Sequence, residues 1–157
     1  MEYLWLKTIH IASAFLLIGT GFGSAFYKFF TDRTKSVPAI VVVNRYVVLA
    51  DWVFTTPTII IQLATGIWLA MILHIPMTSS WFVWVLALYF LMGVCWIPVV
   101  FLQIKMQKMA DQAHANGETV LSDTYYRLAR IWTMLGIPAF FAALILIWMM
   151  VFRAVLM

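Results

Sequence analysis

Four apolar stretches, at about 3–30, 41–73, 81–115 and 123–153, take up nearly all of this 157-residue chain. Each is long enough to cross a bilayer, whose ~30 Å hydrocarbon core takes roughly 20 helical residues. Hydrocarbon offers no partners to a backbone N–H or C=O, so a spanning segment of this kind has to be a helix. Composition points the same way. The chain is 65% hydrophobic and 10% charged, whereas soluble domains run nearer half apolar and a quarter charged. The expectation is an all-α integral membrane four-helix bundle, one domain over residues 1–157. The lone Cys95 excludes an intrachain disulfide and a thiolate cluster. No stripe of Arg and Lys interleaved with aromatics is present, which sets nucleic acid aside as a partner. The N-terminus lacks a basic n-region and its apolar run is too long for a signal peptide, so it reads as a retained helix.

The basic residues set an orientation. Lys28, Arg33, Lys35 and Arg45 flank the first loop, and Lys105, Lys108, Arg127 and Arg130 flank the third. Only Lys7 and Arg153 fall on the opposite side. The positive-inside rule then places both basic loops in the cytoplasm and both termini outside, as in a multi-pass protein of a bacterial inner membrane. Pro38 marks the first loop, and Trp81 and Trp84 read as an interfacial belt. Asn116-Gly117 is a helix stop, and Ser122 or Asp123 caps the last helix. Gly19 and Gly23 form a small-xxx-small pair suited to close helix approach, inside the bundle or in a homodimer.

The polar residues inside the spans carry the chemistry. Lys7 and His10, three apart in the first span, share one helix face. A lysine at the centre of a span costs about 2.5–3.5 kcal/mol on insertion scales, and less near an edge. In the bland reading Lys7 snorkels and His10 bonds a neighbouring helix. In the functional one His10 is a metal ligand holding haem iron, as imidazole commonly does, and Lys7 pairs with a propionate or an anionic substrate. His10 lies about seven residues, or roughly 10 Å, below the outer edge. Thr65 and Gly66 fall at the same depth, and with Ala14 they leave room for a flat ring. Met92 is the candidate second axial ligand, with Met149 and His74 as alternatives; Met71, His74 and Met77 also suggest thioether–imidazole copper coordination. Five-coordinate haem on His10 alone is a further option.

In the second span Asp51, Thr55, Thr58, Gln62 and Thr65 recur at helical spacing and trace one polar face. Pro57 predicts a kink there. An acid inside a membrane is normally paired or functional, and the expected partners of Asp51 are Arg45, Arg127 or Arg130. Tyr89, Met92, Trp96, Val99 and Gln103 make one face of the third helix, with Pro98 as a second kink. Gly136 and Pro138 are expected to interrupt the fourth. Lys7, Asp51 and Gln62 are the candidates for chemistry on a substrate.

The stretches Tyr3-Leu-Trp-Leu-Lys-Thr-Ile-His10-Ile, Ala50-Asp-Trp-Val-Phe-Thr-Thr-Pro57, Gln62-Leu-Ala-Thr-Gly66, Cys95-Trp-Ile-Pro-Val-Val-Phe-Leu-Gln-Ile-Lys-Met106, and Tyr126-Arg127 with Gly136-Ile-Pro-Ala-Phe140 give the chain its family likeness. It resembles a bacterial family of predicted integral membrane proteins without assigned function. More distantly, Leu6-Lys7 followed by His10-Ile11 is similar to the first helix of membrane-bound haem-b protoporphyrinogen oxidases and of CopD-like proteins. That likeness implies haem b on His10. The third span lacks the membrane-embedded histidine of those oxidases. The resulting expectation is a b-type haem-binding redox protein that exchanges electrons with a quinone, a porphyrinogen or a partner protein. The alternative is a small transporter or accessory subunit without a cofactor.

Overall fold

In the computed structural model, which describes residues 1–153, helix α1 runs over Glu2–Thr34 and α2 over Val37–Ala50. A π turn at Asp51–Thr55 joins α2 to α3, Thr56–Ile72. Helix α4 spans Ser80–Ala115 and α5 spans Asp123–Val151. No strand occurs among the described residues. Taking α2 through α3 as one span, four helices are long and apolar enough to cross a membrane. They form the expected all-α membrane bundle. Helix α1 packs on α2 and α3, and α4 packs on α2 and along α5.

The helix ends follow local chemistry. Pro38 lies in the first turn of α2, where a missing N–H costs nothing and the fixed φ suits a helix. The connection from α1 therefore shrinks to Lys35 and Ser36, with Lys35 left-handed at φ 57°. Ser122 caps α5 by accepting from the Tyr125 N–H. Helix α4 stops before Gly117, whose φ of 71° favours glycine.

The kink expected at Pro57 takes the form of the π turn. The proline ring presses on the carbonyl four residues back and offers it no N–H, and widening one turn relieves both conflicts. The Thr58 hydroxyl lies 2.6 Å from the Phe54 carbonyl and 3.0 Å from that of Thr55. By contrast, α5 runs unbroken through Gly136 and Pro138, so the interruption expected there is not observed. A bundle tolerates such residues when neighbouring groups satisfy the freed carbonyls.

Tight packing is concentrated at the two ends. At the basic end Val37, Ile40, Val41, Met106, Ala110, Leu121 and Tyr125 form a buried cluster. At the other end Ala70, Ile75, Trp81, Phe82 and Met149 form a second. Trp81 is not a belt residue: it is buried, and its indole N–H donates to the Met149 carbonyl at 3.1 Å. Trp84 remains exposed as expected. Gly19 and Gly23 touch no other helix, since a Cβ at either would meet nothing within 4 Å. The close approach expected inside the bundle does not occur among the described residues.

The largest departure from expectation is Lys28. It is not a loop-flanking charge but is 1% exposed inside the bundle. Its ammonium donates to Asp32 Oδ2 at 2.9 Å, Asn44 Oδ1 at 2.7 Å and the Tyr125 hydroxyl at 3.0 Å. The Tyr125 hydroxyl donates in turn to Asp32 Oδ1 at 2.8 Å and accepts from the Asn44 amide at 2.9 Å. One network thus ties α1, α2 and α5 together. Removing one partner of a buried ion pair costs about 3–5 kcal/mol, whereas Tyr125→Phe leaves the Lys28–Asp32 pair and the Asn44 contact in place and costs about 1–3 kcal/mol for a buried group left unpaired. Thermal unfolding in detergent should therefore show Lys28→Met lowering Tm by more than Tyr125→Phe. Equal, small effects would mean the network does not anchor this end.

Candidate functional site

The polar stripe of the second span points inward over its full length. Asp51, Thr55, Thr58 and Thr65 are buried and Gln62 is half-buried. Opposite its outer part, α1 presents His10 and Ser13, three apart and so on one face. His10 Nδ1 lies 2.8 Å from Thr65 Oγ1, and Nε2 lies 3.1 Å from Gln62 Nε2. The Ser13 hydroxyl lies within hydrogen-bond reach of Gln62 Oε1 and, at 2.9 Å, of the His10 carbonyl.

One tautomer satisfies all of these contacts together. The Thr65 hydroxyl proton goes to the Ile61 carbonyl at 2.6 Å, so Oγ1 accepts from imidazole Nδ1–H. Nε2 is then the bare nitrogen and accepts from the Gln62 amide, whose oxygen is already taken by Ser13. Thr65 is accordingly the group that orients His10, not a wall of a ring pocket. Gly66 also serves the imidazole: a Cβ there would come within 3.2 Å of His10 Cε1. Of the two residues expected to make room for a cofactor ring, Thr65 is engaged by the histidine, while Gly66 both abuts the imidazole and lines the open cavity.

The open volume lies beside this cluster. A cavity of about 760 Å³ is lined by Lys7, His10, Ala14, Gln62, Gly66, Met92 and Arg153, among others. That falls within the ~300–1,000 Å³ usual for cofactor and small-molecule sites. Met92 thus shares a cavity with His10. Met149 does not line it and belongs to the packed end cluster. Lys7 is exposed, with its ammonium 5.7 Å from the Tyr3 ring centroid. Arg153 brings a second cation to the same cavity; its place at the end of a lipid-facing helix gives no sign of this in the sequence. Ser13 was legible through its spacing from His10.

Asp51 stands apart from this cluster and corrects the expected ion pair. Its Oδ1 accepts from Thr55 at 2.9 Å, while Oδ2 is buried without a partner. Arg45 pairs with Asp111 at 2.8 Å instead, and Arg127 donates to Thr124 at 3.4 Å. All three expected arginines are exposed at the bundle surface, whereas the stripe holds Asp51 inward. Met71, His74 and Met77 are exposed around the α3–α4 turn. No group of three or more His, Cys, Asp or Glu able to hold a metal ion occurs among the described residues.

A family model described as predicted integral membrane protein (DUF2269) matches residues 4–154. No curated protein and no solved structure matches the chain.

The tautomer is open to measurement. ¹⁵N spectra of histidine-labelled protein should show His10 protonated at Nδ1 and bare at Nε2. Thr65→Val, by leaving Nδ1–H without an acceptor, should cost about 1–3 kcal/mol and shift the proton toward Nε2. An Nε2-protonated wild-type ring would reverse the donor order derived above.

Proposed function

The chain belongs to this family of predicted integral membrane proteins, and we propose that it is a b-type haem-binding redox component of a bacterial inner membrane, with both termini outside. The observation that carries this reading is one imidazole whose Nδ1–H is fixed by Thr65, on the wall of a 760 Å³ cavity that also holds Lys7 and Arg153. Metal-binding histidines regularly donate their other N–H to such an orienting group. The donor set suits the group: an imidazole nitrogen for iron, apolar walls for a macrocycle and two cations for its carboxylates. Haem, when bound, would supply one-electron redox chemistry. Gln62 must then release the Nε2 lone pair, and its oxygen keeps Ser13. Met92 is the thioether available to the same cavity. The electron partner belongs to the quinones, the porphyrinogens or the redox proteins.

One observation favours a second reading. Both nitrogens of His10 already have protein partners, so the cluster also works as glue between α1 and α3 in a non-enzymatic transporter or accessory subunit. Interhelical hydrogen bonds of this kind are worth about 0.6 kcal/mol each on average.

Titrating purified protein with haemin separates the two. The haem reading expects a Soret band saturating at one equivalent and lost in His10→Ala. It also expects tighter binding in Gln62→Ala, by about 2- to 10-fold, since one hydrogen bond worth about 0.5–1.5 kcal/mol no longer competes for Nε2. Protein that stays colourless selects the cofactor-free reading, and a band unchanged in a folded His10→Ala variant removes His10 as the ligand.

A further inference from the structure

A second cavity, of about 420 Å³, lies between α1, α4 and α5 and reaches the π turn. Its lining includes four buried polar atoms that have no protein partner: Asp51 Oδ2, Gln103 Oε1 and the indole nitrogens of Trp96 and Trp132. Asp51 and Gln103 are only 6% and 4% exposed. Asp51 has Thr55 and Gln103 beside it but no cation, and a buried acid inside a membrane is normally paired or functional. Among the described residues the ion pairs are Lys28–Asp32 and Arg45–Asp111. Neither involves Asp51.

The space around the acid is aromatic and open. Phe22, Phe26, Phe30 and Phe141 line the cavity and are each more than half exposed, so a ligand dissolved in lipid has a lateral way in. Gly21, Gly93 and Gly136 line it from three helices, and a Cβ at any of them would meet nothing within 4 Å. Glycine inside a helix is unfavourable relative to alanine, and here no neighbouring helix needs the room. Aromatic faces attract cations, more strongly when desolvated. Lys28 already lies 5.6 Å from the centroid of Trp132, but Asp32 offsets its charge; Arg33 lies 4.1 Å from the ring centroid of Phe29, and among the described residues Trp96, Phe22, Phe26, Phe30 and Phe141 have no such neighbour.

We propose that this cavity binds a lipophilic organic cation, its charged centre against Asp51 and Gln103 and its apolar body among the aromatic rings. The site centres on Asp51 and not on His10, although Leu17, Ile18, Tyr89, Met92 and Ala143 line both cavities.

The test is equilibrium binding of tetraphenylphosphonium to the full chain in lipid nanodiscs, with neutral triphenylphosphine oxide as the matched control. The expected result is saturable one-to-one binding of the cation, at least tenfold tighter than the neutral probe. Asp51→Asn should weaken cation binding at least tenfold, Asp51→Glu should retain it, and Gly136→Leu should abolish it by filling the space. Absence of saturable binding, or equal affinity for both probes, would overturn the proposal on wild-type protein alone, whatever the variants do. Undiminished binding in folded Asp51→Asn would overturn it as well.

Discussion

A polar side chain in hydrocarbon must find its partner inside the protein, and the second span carries five of them on one face. That single constraint arranges the bundle. It turns Asp51, Thr55, Thr58, Gln62 and Thr65 inward and requires polar or accommodating surfaces opposite them on α1 and α4. Where a partner is supplied the helices close up, as His10 and Ser13 do against Gln62 and Thr65. At Asp51 and Gln103, where partners are incomplete, a cavity remains. The π turn before Pro57 belongs to the same economy: it absorbs a proline conflict while keeping the stripe in one direction.

The bundle therefore has a graded interior. Its basic end is locked by the Lys28 network, in which the ammonium has three oxygen partners. The opposite end is closed by apolar packing around Trp81. Between them lie two cavities, one beside an imidazole with a defined lone pair and one beside an acid without a cation. Rigid ends and an underpacked middle suit a protein that receives a membrane-soluble or amphipathic ligand. The backbone at the ends pre-positions His10 and Asp51 without help from that ligand.

The sequence made the architecture legible because periodicity reports burial directly. The four spans, the stripe of the second and the Tyr89–Gln103 face of the third all follow from spacing, and every residue of that third-span face lines the cavity beside Asp51. What spacing cannot reveal is which polar residues meet. Lys28 looks like a loop charge because it lies close to Arg33 and Lys35, yet Asp32 one turn on was a visible cue that it could turn inward. Trp81 looks interfacial by position, and only the tertiary fold supplies the Met149 carbonyl that draws it inside. The small-residue rule at Gly19 and Gly23 states what is permitted, and no helix takes it up. Asp51 was expected to choose among arginines by nearness in depth, but those side chains ride on the outer faces of their helices.

The same limit applies to His10. Depth alone brought Thr65 and Gly66 beside it, but their roles became readable only through hydrogen-bond order: one holds the ring's proton and the other yields space to the ring. The central claim is that the remaining nitrogen is a ligand. Resonance Raman of the ferrous, haem-loaded protein tests it most directly. The account predicts an iron–imidazole stretching band in the wild type that disappears in His10→Ala and persists in Gln62→Ala. Five-coordinate ferrous haem in the Met92→Ala protein without that band, or a band that survives loss of His10, would contradict it.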